Sequence, residues 1–141
     1  GVGKSESGNR KSVNDGLLEK YYENGKLEEK AYYKTGVLNG PYEAYFDNGQ
    51  LDTKMTFLNG YTIGLVINYY KNGQIHEKVT FKLSTNKINT SFDGLYESFY
   101  FNGQLNKRCF YKLGVLNGEY EEYTEDGTLI LKVKYINGEK S

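Results

Sequence analysis

From residue 15 onward apolar and polar side chains alternate along the chain, and the alternation is interrupted at fixed intervals by short polar turns centred on glycine. Five of these turns read Asn24-Gly25, Asn48-Gly49, Asn72-Gly73, Asn102-Gly103 and Asp126-Gly127, spaced by 24, 24, 30 and 24 residues. Counted from Gly16, Gly40, Gly64, Gly94 and Gly118, the turn glycine always falls nine residues later. Eight residues beyond it stands an aromatic residue, Tyr33, Phe57, Phe81, Tyr111 or Tyr135, followed closely by Gly36, Gly60, Ser84, Gly114 or Gly138. Such a frame defines a repeat protein, in which each unit buries its apolar face by stacking on its neighbours. Function is therefore sought on a surface and not in a pocket.

Each unit is predicted to be a strand, an Asn-Gly turn, a second strand and a glycine-rich turn. Asn-Gly suits both central positions of a two-residue type I′ hairpin turn, because both need positive φ. The expected fold is all-β: an elongated single-layer antiparallel meander of about ten strands built from five 24-residue β-hairpin repeats. Residues 15–141 form this domain. The six extra residues between the third and fourth units are placed in a loop at about residues 85–91, since loops absorb insertions most easily. Residues 1–14 are polar, rich in Gly and Ser, outside the repeat, and read as a linker or tag remnant. A chain starting at Gly1 within such a segment is consistent with a removed signal peptide, so an exported or cell-envelope protein is preferred over a cytoplasmic one.

A two-residue turn fixes which residues stand opposite each other. Glu19 should face Lys30, Glu43 Lys54, Glu97 Arg108 and Glu121 Lys132, with Ile67 opposite Lys78 as the one exception to opposite charges. The same register sets Gly40 against Phe57 and Gly94 against Tyr111, so that a ring covers strand backbone at each glycine. One face then collects Leu27, Leu51, Ile75, Leu105 and Leu129, the late aromatics, Ala31, Met55, Val79, Cys109 and Val133, and is expected to be the core face. Cys109 fills a slot held elsewhere by Ala, Met or Val, which marks it as a small buried hydrophobe. The opposite face carries the charge pairs and one ring per unit: Tyr21, Tyr45, Tyr69, Phe99 and Tyr123. These five rings form a ladder with steps of about 10 Å. Two roles are open to it, a stack that stiffens a single-layer sheet or a stripe that binds a partner.

Composition narrows the choice of partner. Eighteen basic and eighteen acidic residues cancel, which removes the long-range attraction that draws proteins to nucleic acid. No apolar run approaches the roughly 20 residues of a membrane-crossing helix. Rings carry much of the apolar share, with 15 Tyr and 7 Phe against no Trp, and 17 Gly beside one Pro suit strands joined by tight turns. No cofactor, metal or catalytic constellation is expected. The single histidine, His76, has no second His or Cys at ligand spacing, and the acidic residues face basic ones instead of forming a carboxylate pair.

The string Tyr-Tyr-x-Asn-Gly-x-Leu, at Tyr21 to Leu27 and with Ile75 in last place at Tyr69 to Ile75, resembles the bacterial variant of the MORN repeat. Tyr45 to Leu51 and Phe99 to Leu105 are similar, each with one Phe among the ring positions. The resemblance implies an elongated twisted sheet of hairpins and a protein-interaction or assembly module without catalysis. Some bacterial members are labelled YwqK-type antitoxins, so neutralising a toxin by binding it is one form this function takes. A second reading, from a different class, is a cell-envelope module whose aromatic ladder stacks on carbohydrate or cell-wall polymer. The first and last strands, near Leu17 to Glu23 and Leu129 to Tyr135, are expected to leave open edges through which two copies could pair as a homodimer.

Overall fold

The computed structural model describes residues 15–83 and 90–141. The expected linker at residues 1–14 and the residues of the insertion up to Asn89 lie outside the described residues. Strand alternation and glycine-centred turns produce twelve strands: β1 (Gly16–Tyr21), β2 (Leu27–Lys34), β3 (Val37–Tyr45), β4 (Leu51–Leu58), β5 (Tyr61–Tyr69), β6 (Ile75–Leu83), β7 (Thr90–Phe99), β8 (Leu105–Lys112), β9 (Val115–Leu116), β10 (Gly118–Tyr123), β11 (Leu129–Ile136) and β12 (Glu139–Lys140). They form one open antiparallel sheet in chain order, with β9 and β10 both pairing with β8. Thr90 and Ser91, expected in the inserted loop, belong to β7 and pair with Leu83 and Lys82.

All the expected charge pairs are in register: Glu19 with Lys30, Glu43 with Lys54, Glu97 with Arg108 and Glu121 with Lys132. The turn that produces this register is a different one. In the first unit the Tyr22 amide donates to the Lys26 carbonyl at 2.8 Å and the Gly25 amide to the Tyr22 carbonyl at 2.9 Å. Gly25 has φ +88°, whereas Asn24 stays on the negative side. Glu23, Asn24 and Gly25 therefore make a three-residue loop, a type I turn closed by a glycine bulge. That shifts the pairing by one, and a second bulge in β2, opposite Lys20 and Tyr21, shifts it back. The two displacements cancel, which is why charge pairs counted from a two-residue turn still come into line.

Type I′ geometry appears at the other turns. Thr35-Gly36, Asn59-Gly60, Leu113-Gly114 and Asn137-Gly138 each have positive φ at both residues. Leu113, at φ +52° and 66 % exposed, holds a branched side chain in a left-handed conformation and gains no burial for it. Its Leu113→Asn variant, matching Asn59 and Asn137, is expected to be more stable by about 1 kcal/mol, read as a higher urea midpoint at unchanged slope. An unchanged midpoint would mean that the turn carries no such strain.

Between turn and strand the second bulge also reassigns side chains. Tyr21 pairs directly with Leu27, Tyr45 with Leu51, Tyr69 with Ile75 and Phe99 with Leu105, and directly opposed residues of an antiparallel pair share a face. These aliphatic residues, expected on the core face, therefore stand beside the ring ladder. The core face keeps Ala31, Val66, Val79 and Cys109, which are the buried hydrophobic residues among those described. It also keeps edge-to-face ring pairs such as Tyr42 with Phe57 at 5.6 Å and Tyr120 with Tyr135 at 5.7 Å. Gly40 pairs with Phe57 as expected, but the atom closest to where a side chain would stand there is Tyr32 Cβ, at 3.4 Å. With φ +122° as well, that position admits glycine for two separate reasons.

Candidate functional site

The five ladder residues each terminate a strand: Tyr21 ends β1, Tyr45 β3, Tyr69 β5, Phe99 β7 and Tyr123 β10. They consequently run in a row along the margin of the sheet where the Asn-Gly turns emerge. Tyr21 is 56 % exposed and the other four are half-buried. With Leu27, Leu51, Ile75, Leu105 and Leu129 between them, the row alternates ring and aliphatic side chain from strand to strand.

Three of the hydroxyls are anchored within their own strand. Tyr21 donates to Glu19 Oε1 at 2.9 Å, Tyr45 to Glu43 Oε1 at 2.7 Å and Tyr123 to Glu121 Oε1 at 3.0 Å. Burial, and then the hydrogen bond and charge of Glu43, push the Tyr45 phenol up to about 12. The Tyr21 and Tyr123 phenols are raised chiefly by their glutamate bonds. All three rings thus stay neutral donors across the physiological range. Tyr69 departs from this arrangement, because Ile67 occupies the place of the glutamate. Phe99 departs in the opposite sense: it has no hydroxyl, and Glu97 turns instead to Arg108.

Beside the ladder lies a feature that counting within hairpins cannot reveal. Pairing between hairpins is in register with pairing inside them, so Glu19, Lys30, Glu43, Lys54, Ile67, Lys78, Glu97, Arg108, Glu121 and Lys132 form one continuous row across the sheet. Acid and base alternate along it except at Ile67. Glu97 is its most buried member, accepting from Arg108 Nε at 3.0 Å and lying 2.9 Å from Arg108 Nη2 and 4.0 Å from Lys78 Nζ. The spacing of the charges along the sequence was legible, but their continuity required the order of the strands.

Other polar contacts join one unit to the next. The amide nitrogens of Asn24, Asn48, Asn72 and Asn102 donate to the carbonyls of Asp47, Lys71, Phe101 and Glu125 in the following turn, while each Asn Oδ1 accepts the backbone amide two residues on. Tyr22, Tyr70 and Tyr100 donate their hydroxyls to the carbonyls of Tyr45, Phe99 and Tyr123. Unit five has Thr124 and Asp126 in these places and makes neither bond forward.

The opposite face is less apolar than expected. Tyr42 donates to Glu29 at 2.6 Å, Tyr96 to Glu77 at 2.5 Å and Tyr120 to Glu122 at 2.6 Å, and burial followed by these bonds raises all three phenols. These three rings are half-buried, and Glu29 and Glu77 reach theirs from a neighbouring strand, so local sequence spacing carries no sign of the pairing. Cys109 is 1 % exposed, and burial pushes its thiol up, against nucleophilic use at neutral pH. His76 is exposed and stacks on Tyr70 at 4.2 Å between centroids. Among the described residues no group of three or more His, Cys, Asp or Glu side chains could hold a metal ion. Among them, too, no helix is long and apolar enough to cross a membrane.

With this geometry in place, comparison with known families finds the repeat described as the MORN repeat variant at residues 14–35, 38–59, 63–83, 92–113 and 116–137. The gap between the third and fourth matches brackets the insertion. No curated protein matches the chain.

Proposed function

The chain belongs to the MORN repeat variant family, whose repeats are associated with protein- and membrane-binding modules and are typically non-catalytic, and we propose that it is a non-enzymatic protein-interaction module that binds through its ladder face. The observation carrying this reading is the row of Tyr21, Tyr45, Tyr69, Phe99 and Tyr123, interleaved with aliphatic side chains along one margin of a sheet that, among the described residues, has no second layer over it. Rigid rings with few rotors lose little entropy on docking, and the hydroxyl bonds to Glu19, Glu43 and Glu121 fix their orientation before a partner arrives. Neutralisation of a partner toxin, in the manner of an antitoxin or immunity protein, is the specific form we favour.

The test is the double variant Tyr45→Ala with Tyr69→Ala, used beside the wild type as affinity bait against an extract of the encoding organism. The expected result is one stoichiometric protein retained by the wild type and lost from the variant, while cooperative melting persists. Melting that collapses in the variant assigns the ladder to stiffening of the sheet. A glycan array that binds the wild type, with no protein retained, supports carbohydrate recognition instead.

A further inference from the structure

In a repeat array most positions are dictated by stacking on the neighbouring units, so a unit that departs from the others in several ways at once stands out. Unit three does so. It alone interrupts the charge row, with Ile67 between Lys54 and Lys78 in direct register with both. Tyr69 is the one ladder tyrosine with no glutamate two residues before it, and among the described residues its hydroxyl donates to no side chain. Leu65, on the same face and strand, is 48 % exposed.

Electrostatically the interruption is a local deficit of negative charge. Lys54 and Lys78 each have a glutamate on one side only, Glu43 and Glu97, whereas Lys30 and Arg108 have one on both sides, and Lys78 reaches Glu97 only at 4.0 Å while Arg108 holds that carboxylate more closely. Two cations about 10 Å apart across one intervening strand therefore flank an apolar column of Leu65, Ile67 and Tyr69. In units one, two and five a glutamate in the chain itself lies between flanking basic residues or beside one, and accepts the ladder hydroxyl.

We infer that a carboxylate supplied by the partner takes the missing place: the ladder face binds an acidic protein segment, with one Asp or Glu seated over Ile67 between Lys54 and Lys78 and accepting from the Tyr69 hydroxyl. Apolar side chains flanking that acid pack on Leu65 and on the rings of Tyr45 and Tyr69. Charge complementarity selects this occupant over a polyanion. Glu43 and Glu97 lie just beyond the two lysines along the same row and repel an extended run of negative charge, whereas a single carboxylate fits between them. The inference rests on the ladder-face reading above and specifies the chemistry of its partner.

The decisive variant is Ile67→Glu, which restores the pattern of the other four units and so is expected to fold at least as stably as the wild type. A random 12-residue display library is selected on the wild-type protein, and the selected peptides are made synthetically with their acid intact or changed to the amide. The expected result is enrichment of Asp or Glu between apolar residues, binding weakened at least tenfold by Ile67→Glu, and a similar loss when the peptide acid becomes an amide. Peptides without an acid, no binder at all, or binding indifferent to Ile67→Glu would each overturn the inference. Indifference to Ile67→Glu combined with loss in the Tyr45→Ala, Tyr69→Ala variant leaves the ladder reading standing and removes only the acidic segment. Phosphatidylserine vesicles bound in place of peptides, and released by Ile67→Glu, would assign the two lysines to a membrane surface and likewise overturn it.

Discussion

Replacing Phe92 by alanine is expected to cost about 2–3 kcal/mol and to lower the melting temperature by about 10 °C. Phe92 is the hub of a ring cluster at the seam between units three and four, with centroids 5.1 Å from Phe81, 5.2 Å from Tyr111 and 6.5 Å from Tyr96. The figure lies below the roughly 3–5 kcal/mol of a fully buried Phe because the ring is half-buried in a single-layer sheet. Equivalent positions carry Leu38, Thr62 and Leu116, so the large ring is particular to the seam that follows the insertion. In an array whose units touch only their neighbours, weakening one seam uncouples what lies on either side. The variant should therefore melt in two steps by calorimetry, one for residues 15–83 and one for residues 90–141. A single transition at the wild-type temperature would show that strand pairing alone joins the two blocks.

The second large effect is expected at Glu97. Changing it to alanine leaves Lys78 and Arg108 facing each other across the gap, and the loss is expected to be about 1–2 kcal/mol in urea unfolding. Breaking a fully buried pair costs about 3–5 kcal/mol, but here the cations are 34 % and 44 % exposed and water recovers part of their solvation. The same change at Glu121, whose partner Lys132 lies 3.7 Å away and is 55 % exposed, should cost under about 0.5 kcal/mol. Equal losses at the two sites would mean that burial of Glu97 adds nothing to the charge row.

Much of this fold was legible in the chain. Recurring glycines gave the unit, and opposite charges at constant separation gave the register, because Glu19 and Lys30 could be paired by counting outward from a turn. The identity of that turn was not legible. Asn-Gly is compatible both with a two-residue loop and with a type I turn closed by a glycine bulge, and a compensating bulge near Glu28 hid the difference by leaving the outer pairs unchanged. Alternation carried straight through the turn puts Leu27 and its counterparts on the core face, whereas the bulge turns them to the ladder. The five rings of the candidate site could be read because each stands two residues beyond a member of the charge row. The continuity of that row, and with it the isolation of Ile67, depends on which hairpins lie side by side, and no local pattern carries that information.

The forward bonds between turns give the array a direction of growth. Every such bond is donated by a unit to the one after it, through Asn24, Asn48, Asn72 and Asn102 and through Tyr22, Tyr70 and Tyr100. A gene duplication that placed a second copy of unit four beside the first would supply both donors to its successor and lengthen the sheet with all its stitches in place. A copy placed after unit five would meet Thr124 and Asp126 and receive neither, so units should be gained and lost more readily among the first four than directly after unit five.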